Sequence, residues 1–292
     1  MNARLSYTVI TPARDEVENL PRLAASLVAQ TVLPDAWVIV DNGSNDGTLE
    51  LASELAHAHS WVTVLTFEVD DAPTRAEPTV RAFQLGLMSL SPGTDVVVKL
   101  DADLSFAPDY FARLLAAFDA DPLLGMASGT CYENDGTSWR QRHVTDGHVW
   151  GASRAYRRRC LDDVQPLEAG LAWDGIDELR AAVKGWHART CVDLPFYHHR
   201  AEGARERSRI GGWLATGSMS HYMGYRFSYL VLRTLHHARR DPFALFSVGG
   251  YLSALIRRRP RYPDPLVRAH LRRKQSLRNL PVRIAEARGK SA

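Results

Sequence analysis

Two aspartates separated by one small residue, Asp101-Ala102-Asp103, close the apolar run Val96-Val97-Val98-Lys99-Leu100. Carboxylates that near one another at the desolvated end of a strand repel unless a cation or hydrogen-bond donors compensate them. A divalent metal is the economical compensation. Mg2+ or Mn2+ takes one or two protein carboxylates and completes its shell with water and substrate phosphate, so the pair implies a phosphorylated ligand. The same spacing also occurs in plain solvated turns. Two other polar clusters carry residues for related work: Thr11-Pro12-Ala13-Arg14-Asp15-Glu16 and Asp41-Asn42-Gly43-Ser44-Asn45-Asp46-Gly47. In the second, two glycines permit tight turns and Asp46 can cap a helix starting at Gly47-Thr48.

These clusters can cooperate only if the chain brings them to one edge, and the periodicity predicts such an edge. Residues 7–11 read as a buried strand, followed by Leu20, Leu23 and Leu27 at helical spacing; residues 36–40 are the next strand and 46–59 the next helix. Strands over 61–67 and 95–100 flank a helix over 79–90. Residues 108–120 form a helix with Phe111, Leu114, Leu115 and Phe118 on one stripe, and 124–132 a fifth strand. Strands this apolar are buried on both faces, so an α/β fold is expected, a mostly parallel sheet covered by helices. Ligands of such sheets gather outside the carboxyl ends of the strands, where all three polar clusters fall. Residues 134–148 read as a polar loop, 173–186 as a capped helix, 190–196 as one more strand, and the remainder as helical and basic.

A chain of 292 residues, 45% hydrophobic and 24% charged, excludes a disordered or low-complexity protein and allows one large domain or one with an appendage. Cys131, Cys160 and Cys191 form no CxxC pair, which argues against a disulfide framework or zinc ribbon and for a reducing compartment. No apolar leader precedes the first strand, so the expectation is a cytoplasmic protein. The formal charge of +3 conceals opposed halves: from Arg200 onward 20 Lys and Arg face 5 Asp and Glu, before it 16 face 28. The basic half interleaves Arg239-Arg240 and Arg257-Arg258-Arg259 with apolar pieces such as Phe227-Ser228-Tyr229-Leu230-Val231-Leu232, a mixture that suits an anionic membrane surface; charge alone also allows a solvated tail or a nucleic-acid patch, and the expected partner is the membrane, with no nucleic acid. Each Lys or Arg near such a surface contributes about 1 kcal/mol. The longest stretch without charge, residues 242–256, is shorter than the roughly 20 residues that span a bilayer. The expected organisation is a catalytic domain over 1–200 and a helical, basic region over 201–292 that is peripheral on the inner face of the membrane.

As a set, strand-Thr11-Pro12-Ala13-Arg14-Asp15-Glu16, strand-Asp41-Asn42-Gly43-Ser44-Asn45-Asp46-Gly47 and strand-Asp101-Ala102-Asp103 resemble the nucleotide-sugar-binding half of family 2 glycosyltransferases of the GT-A fold, over about residues 6–200. The resemblance implies a nucleoside-diphosphate sugar as donor, with Thr11, Asp41 and Asn42 near the nucleoside, Asp101 at the nucleotide sugar, and Asp101 and Asp103 on Mn2+ or Mg2+. Arg81, in Arg81-Ala82-Phe83-Gln84-Leu85-Gly86, matches the family's arginine that faces the diphosphate, or makes a surface ion pair. The segment from His148 through Tyr156-Arg157-Arg158 is similar to the family's region near the donor sugar. Counting back from Gly185, Asp174 falls on the family's catalytic Asp, with Trp173 in place of the preceding Glu and Asp177 as the alternative base. A late histidine often completes the family's metal site. His199 is favoured over His198, since strand neighbours point opposite ways and only one can reach.

The resemblance therefore implies an inverting transferase: an acceptor hydroxyl, deprotonated by Asp174, displaces the nucleoside diphosphate, in cell-envelope or exopolysaccharide assembly with a glycan or lipid-linked acceptor. A nucleotidyltransferase would carry a glycine-rich loop after the first strand, which Thr11-Pro12-Ala13-Arg14 lacks. A phosphatase would place its nucleophilic Asp on the first strand. A non-catalytic membrane or scaffold protein on the same fold is the remaining alternative, distinguished by whether nucleoside diphosphate is released.

Overall fold

A computed structural model of the chain describes residues 5–67, 76–90, 92–134, 137–142, 148–168, 170, 173–200 and 208–279. The chain divides into two compact units, Met1–Ala201 and Glu202–Ala292. Part of the expected 134–148 loop and the basic residues beyond 279 lie outside the described residues.

The first unit holds strands β1 (Tyr7–Ala13), β2 (Ala36–Asp41), β3 (Val62–Thr66), β4 (Val96–Leu100), β5 (Leu104–Phe106), β6 (Leu124–Asn134), β7 (Trp139–Gln141), β8 (Ser153–Arg157) and β9 (His187–His198). Its helices are α1 (Leu20–Val28), α2 (Thr48–Ala58), α3 (Ala76–Met88), α4 (Tyr110–Ala120), α5 (Arg158–Val164) and α6 (Trp173–Val183). The strands form one sheet in the order β3-β2-β1-β4-β8-β6-β9-β5, with β7 paired to β6. β3, β2, β1 and β4 are mutually parallel, as their helical crossovers require. β8 enters antiparallel between β4 and β6.

Alternation along the strands sends side chains into two apolar layers. Val9, Val96 and Val98 pack with Leu20, Leu23, Leu27, Phe111, Leu114 and Phe118 on one face, whereas Ile10 and Val97 pack with Val80, Phe83, Leu161 and Val164 on the other. Burying each such side chain stabilises the fold by about 1.5–3 kcal/mol, which is why these strands read as continuous apolar runs. Short β5, β8 and α5 carry no comparable run, and the periodicity does not reveal them.

The second unit consists of α7 (Arg209–Met223), α8 (Phe227–Ala238), a 3-10 turn at Pro242–Leu245, α9 (Phe246–Ile256), α10 (Pro265–Lys274) and a 3-10 turn at Leu277–Asn279. Ser208 caps α7 through Gly211 N, and Asp264 caps α10 through Leu266 N at 2.8 Å. α7 and α9 approach until their backbones touch: a side-chain carbon on Gly217 would stand 1.8 Å from Ser247 O, and one on Gly250 2.1 Å from Leu214 O. Among the described residues no helix is long and apolar enough to cross a membrane.

Candidate active site

Because β1, β2 and β4 are parallel, the loops leaving them emerge on one rim. β8 runs against β4 and so begins where β4 ends, with Asp101 N donating to Ala152 O at 2.8 Å. β9 is parallel to β6, itself antiparallel to β8, and delivers His198, His199 and Arg200 to the same rim.

The first two loops are laced together. Asp15, in left-handed backbone at φ 55°, accepts from Asn45 N at 2.9 Å, while Glu16 N donates to Thr48 Oγ1 at 2.8 Å. Asp46, one residue before the Gly47 N-cap of α2, accepts from Val17 N at 3.1 Å and from the first helical amide, Thr48 N, at 3.0 Å, in a turn where Gly43 and Gly47 have positive φ. Asp41 is buried and receives the amide and hydroxyl of Ser44. Beside it, the buried Asn42 Oδ1 has no hydrogen-bond partner among the described residues. Thr11 does not join this group. It shares the strand face of Val9 and Ala13, is fully buried, and accepts from Trp37 Nε1 at 2.9 Å, so the side chain of this residue, expected near the nucleoside, is turned into the core.

The acid pair is held by cations of the chain itself. Asp101 is ion-paired with Lys99, whose Nζ also donates to Gly151 O at 2.9 Å and stands 5.8 Å from the Trp173 ring centroid. Burial pushes the Asp101 carboxyl up, Lys99 pulls it down and Asp103 pushes it up again. Burial would raise Asp103 too, yet His198 and Arg200 hold it below its ordinary value. His198 Nε2 lies 3.3 Å from Asp103 Oδ1, and its Nδ1 3.6 Å from Glu133 Oε1. Burial alone would lower this imidazole; Asp103, Cys131 and Glu133 around it push it up to about 12. Arg200 grips Glu16 with two bonds of 2.7 and 2.8 Å and places Nε 3.9 Å from Asp103 Oδ2, tying the first loop to the acids. Compensation expected from a metal is thus supplied in part by Lys99, His198 and Arg200. The donors still suit a hard divalent cation: two carboxylates on one rim, and an Asp103 Oδ1 that is buried with an ionic contact but no well-formed hydrogen bond.

His199, the expected metal ligand, has its Nε2 2.8 Å from Ser105 Oγ and its ring edge-on to Trp139. Neighbours do alternate, but the register sets His198 opposite Glu133 and Leu104, so His198 is the imidazole that meets Asp103.

Asp174 opens α6, half-buried, with Oδ1 accepting from Gly175 N at 2.9 Å. Its Oδ2 lies 3.6 Å from where a side chain on Gly151 would begin, so Asp174 and Lys99 flank the same residue. Asp177 is different. It is 2% exposed, 2.7 Å from the buried Arg154, and takes the Tyr156 hydroxyl; burial pushes it up to about 7 while Arg154 draws it down. Buried and already engaged by Arg154 and Tyr156, Asp177 is a structural ion-pair partner, which corrects its alternative assignment as base. Arg81 is half-exposed on α3 and ion-paired with Glu77.

Lys99, Arg154 and Arg200 were not singled out by sequence reasoning, and His198 was passed over in favour of His199. Lys99 left a signal: a cation inside an apolar strand two residues before Asp101, hence on the same face. Arg154 left none. It is wholly buried, donating to Asp174 O at 2.8 Å and to Glu178 Oε1 at 2.8 Å, and so fixes the first turn of α6 under β8.

The family model described as Glycosyl transferase family 2 matches residues 8–173, more than half of the chain. The chain is 34% identical over 175 residues to polyprenol monophosphomannose synthase of Mycolicibacterium smegmatis, a match covering 53% of this chain and 63% of that protein, under two thirds of its length. It is 24% identical to undecaprenyl-phosphate 4-deoxy-4-formamido-L-arabinose transferase of Sodalis glossinidius, covering 87% of this chain and 91% of that one. Among solved structures, the mannosyltransferase PcManGT from Pyrobaculum calidifontis, in complex with GDP-Man and Mn2+, superposes with a TM-score of 0.57 at 18% identity, over 98% of this chain and 81% of that chain. That likeness establishes the GT-A fold.

Proposed function

The chain belongs to glycosyl transferase family 2, and from that premise we propose that it transfers a sugar from a nucleoside-diphosphate sugar to a lipid-linked acceptor in cell-envelope glycan assembly, with inversion at the anomeric carbon. One observation carries this reading: Lys99, ion-paired with Asp101, donates to Gly151 O, and a side-chain carbon on that same Gly151 would stand 3.6 Å from Asp174 Oδ2. That proximity supports the reading of Asp101 as the carboxylate that handles the diphosphate and of Asp174 as the base acting on the same sugar. Asp41 and Asn42 hold the nucleoside, the orphan Asn42 Oδ1 accepting from it. Asp101 and Asp103 would hold Mn2+ or Mg2+, which when bound neutralises charge gathering on the departing diphosphate. His198 orients Asp103 from behind, and Arg200 keeps the first loop closed against it. Asp174 takes the proton of the acceptor hydroxyl as it attacks, a contribution of about 10²–10⁴-fold. The two relatives named for polyprenol- and undecaprenyl-phosphate support the lipid-linked acceptor.

The second unit supports a peripheral anchorage on an anionic bilayer. It exposes Phe243, Leu245, Phe246, Leu252, Leu255 and Ile256, flanked directly by Arg257, Arg258 and Arg259. Apolar insertion beside a basic run is the pattern that anionic lipid stabilises.

The test is release of nucleoside diphosphate from a panel of nucleoside-diphosphate sugars with Mn2+ or Mg2+ and a polyprenyl-linked acceptor. The expected result is acceptor-dependent release by the wild type and at least about a 10²-fold loss in Asp103→Ala. Turnover of no donor, or full turnover by Asp103→Ala, would overturn the proposal.

A further inference from the structure

Beside the acids, β6 and β9 build a second cluster of different chemistry. Cys131 and Glu133, two residues apart on β6, share a face, and Glu133 pairs across the ladder with His198. The pairing depends on the irregularity between Gly129 and Thr130, which shifts β9 relative to β6 just before these residues. One donor atom from each of Cys131, Glu133 and His198 lies within 4.8 Å of the others. We propose that these three residues form a site for a thiophilic divalent cation of the Zn2+ class, separate from the Asp101 and Asp103 carboxylates.

The donor set argues for that class. Sulfur, imidazole nitrogen and carboxylate oxygen are the ligands of zinc, at about 2.0–2.3 Å, with water completing a tetrahedron. A hard ion such as Mg2+ does not select a thiolate. Cys131 is fully buried, whereas the side chains of Glu133 and His198 are 10% and 14% exposed, so an ion enters past those two. The surroundings complete the arrangement. Nδ1 of His198 faces Glu133 Oε1, and Nε2 faces Asp103 Oδ1 at 3.3 Å. A ligating imidazole that donates its other N–H to a carboxylate is the usual outer partnership of a zinc histidine. Glu133 Oε2, 3.3 Å from Arg142 Nε, keeps its guanidinium when Oε1 binds.

The experiment needs no nucleotide sugar, so its failure and that of the transferase reading are separable. The full chain, stripped with chelator, is titrated with Zn2+ by calorimetry and with Co2+ by absorption spectroscopy. One equivalent of Zn2+ is expected to bind, and Co2+ to develop a thiolate charge-transfer band in the near ultraviolet. Cys131→Ser should abolish the band, Glu133→Gln should weaken Zn2+ binding about tenfold, and Asp103→Asn by about 10- to 100-fold as an outer partner is lost. Cys191→Ser should leave band and affinity intact, and circular dichroism establishes that each variant is folded. Absence of saturable Zn2+ binding by the wild type, or a Co2+ band that survives in folded Cys131→Ser, would overturn the proposal.

Discussion

Lys99 sets the electrostatics of the acid pair. Its ammonium, almost wholly buried, is paired with Asp101 on one side and tethered to Gly151 O on the other, so it cannot be replaced by solvent. A fixed positive charge beside two carboxylates lowers their appetite for a divalent cation. Lys99→Met is therefore expected to tighten Mn2+ binding about tenfold, corresponding to about 1.4 kcal/mol of removed repulsion. Titration calorimetry reads this directly, and an unchanged Mn2+ affinity would separate Lys99 from the acids' field. Asp174 makes a different demand. Asp174→Asn keeps the Gly175 contact but cannot accept a proton, and turnover should fall about 10²–10⁴-fold if the nucleophile is a hydroxyl. Near-wild-type turnover would instead mean that the acceptor brings an oxygen already ionised, such as a phosphate, and would retire the base.

At the level of elements, the junction of β8 with α6 carries the most concentrated interaction. Arg154 on β8 neutralises Asp177 and bonds Glu178, both on α6, and its guanidinium lies 5.4 Å from the Trp173 ring centroid. Truncating one partner of such a network leaves buried charge uncompensated, so Arg154→Met should cost about 3–5 kcal/mol in urea unfolding. α2 depends on Asp46 instead. Asp46→Ala removes the acceptor for Thr48 N and Val17 N and should cost about 1 kcal/mol. The carboxyl gives this contribution a pH signature. Slight desolvation would raise it, but hydrogen bonds from Thr48 and Val17 lower it below 3.8 in the fold. Its stabilisation is therefore complete above 3.8 and lost as pH falls through the lower folded value. Wild type and variant should converge in stability in that acid range.

For the whole molecule, the charge asymmetry and the two units coincide. The first unit contains the acids and the two polar loops after β1 and β2, and the second the arginine runs and the exposed Phe243, Phe246 and Ile256. Vesicles rich in anionic lipid should co-sediment the chain in a salt-sensitive way, and replacing Arg257, Arg258 and Arg259 together by glutamate should abolish most of the binding, since each basic residue contributes about 1 kcal/mol. Equal partition onto neutral vesicles would remove the anionic-membrane proposal.

The parallel β1-to-β4 frame was legible because its strands are apolar on both faces, and burial of that kind leaves an unbroken run in the chain. The acids were legible because Asp101-Ala102-Asp103 sits where such a run stops, and Asp46 because a cap is a local arrangement. What the chain could not disclose is contact across distance. Thr11 looked free beside a polar loop, yet Trp37 claims its hydroxyl from the neighbouring strand. His198 and His199 are equivalent in sequence, and only the β6–β9 register turns the first toward Asp103. Arg154 and Asp177 read as ordinary charges until the antiparallel β8 buries them together. Periodicity records which side of an element is apolar, whereas the identity of a polar group's partner is decided by pairing and crossover geometry, which no local pattern encodes.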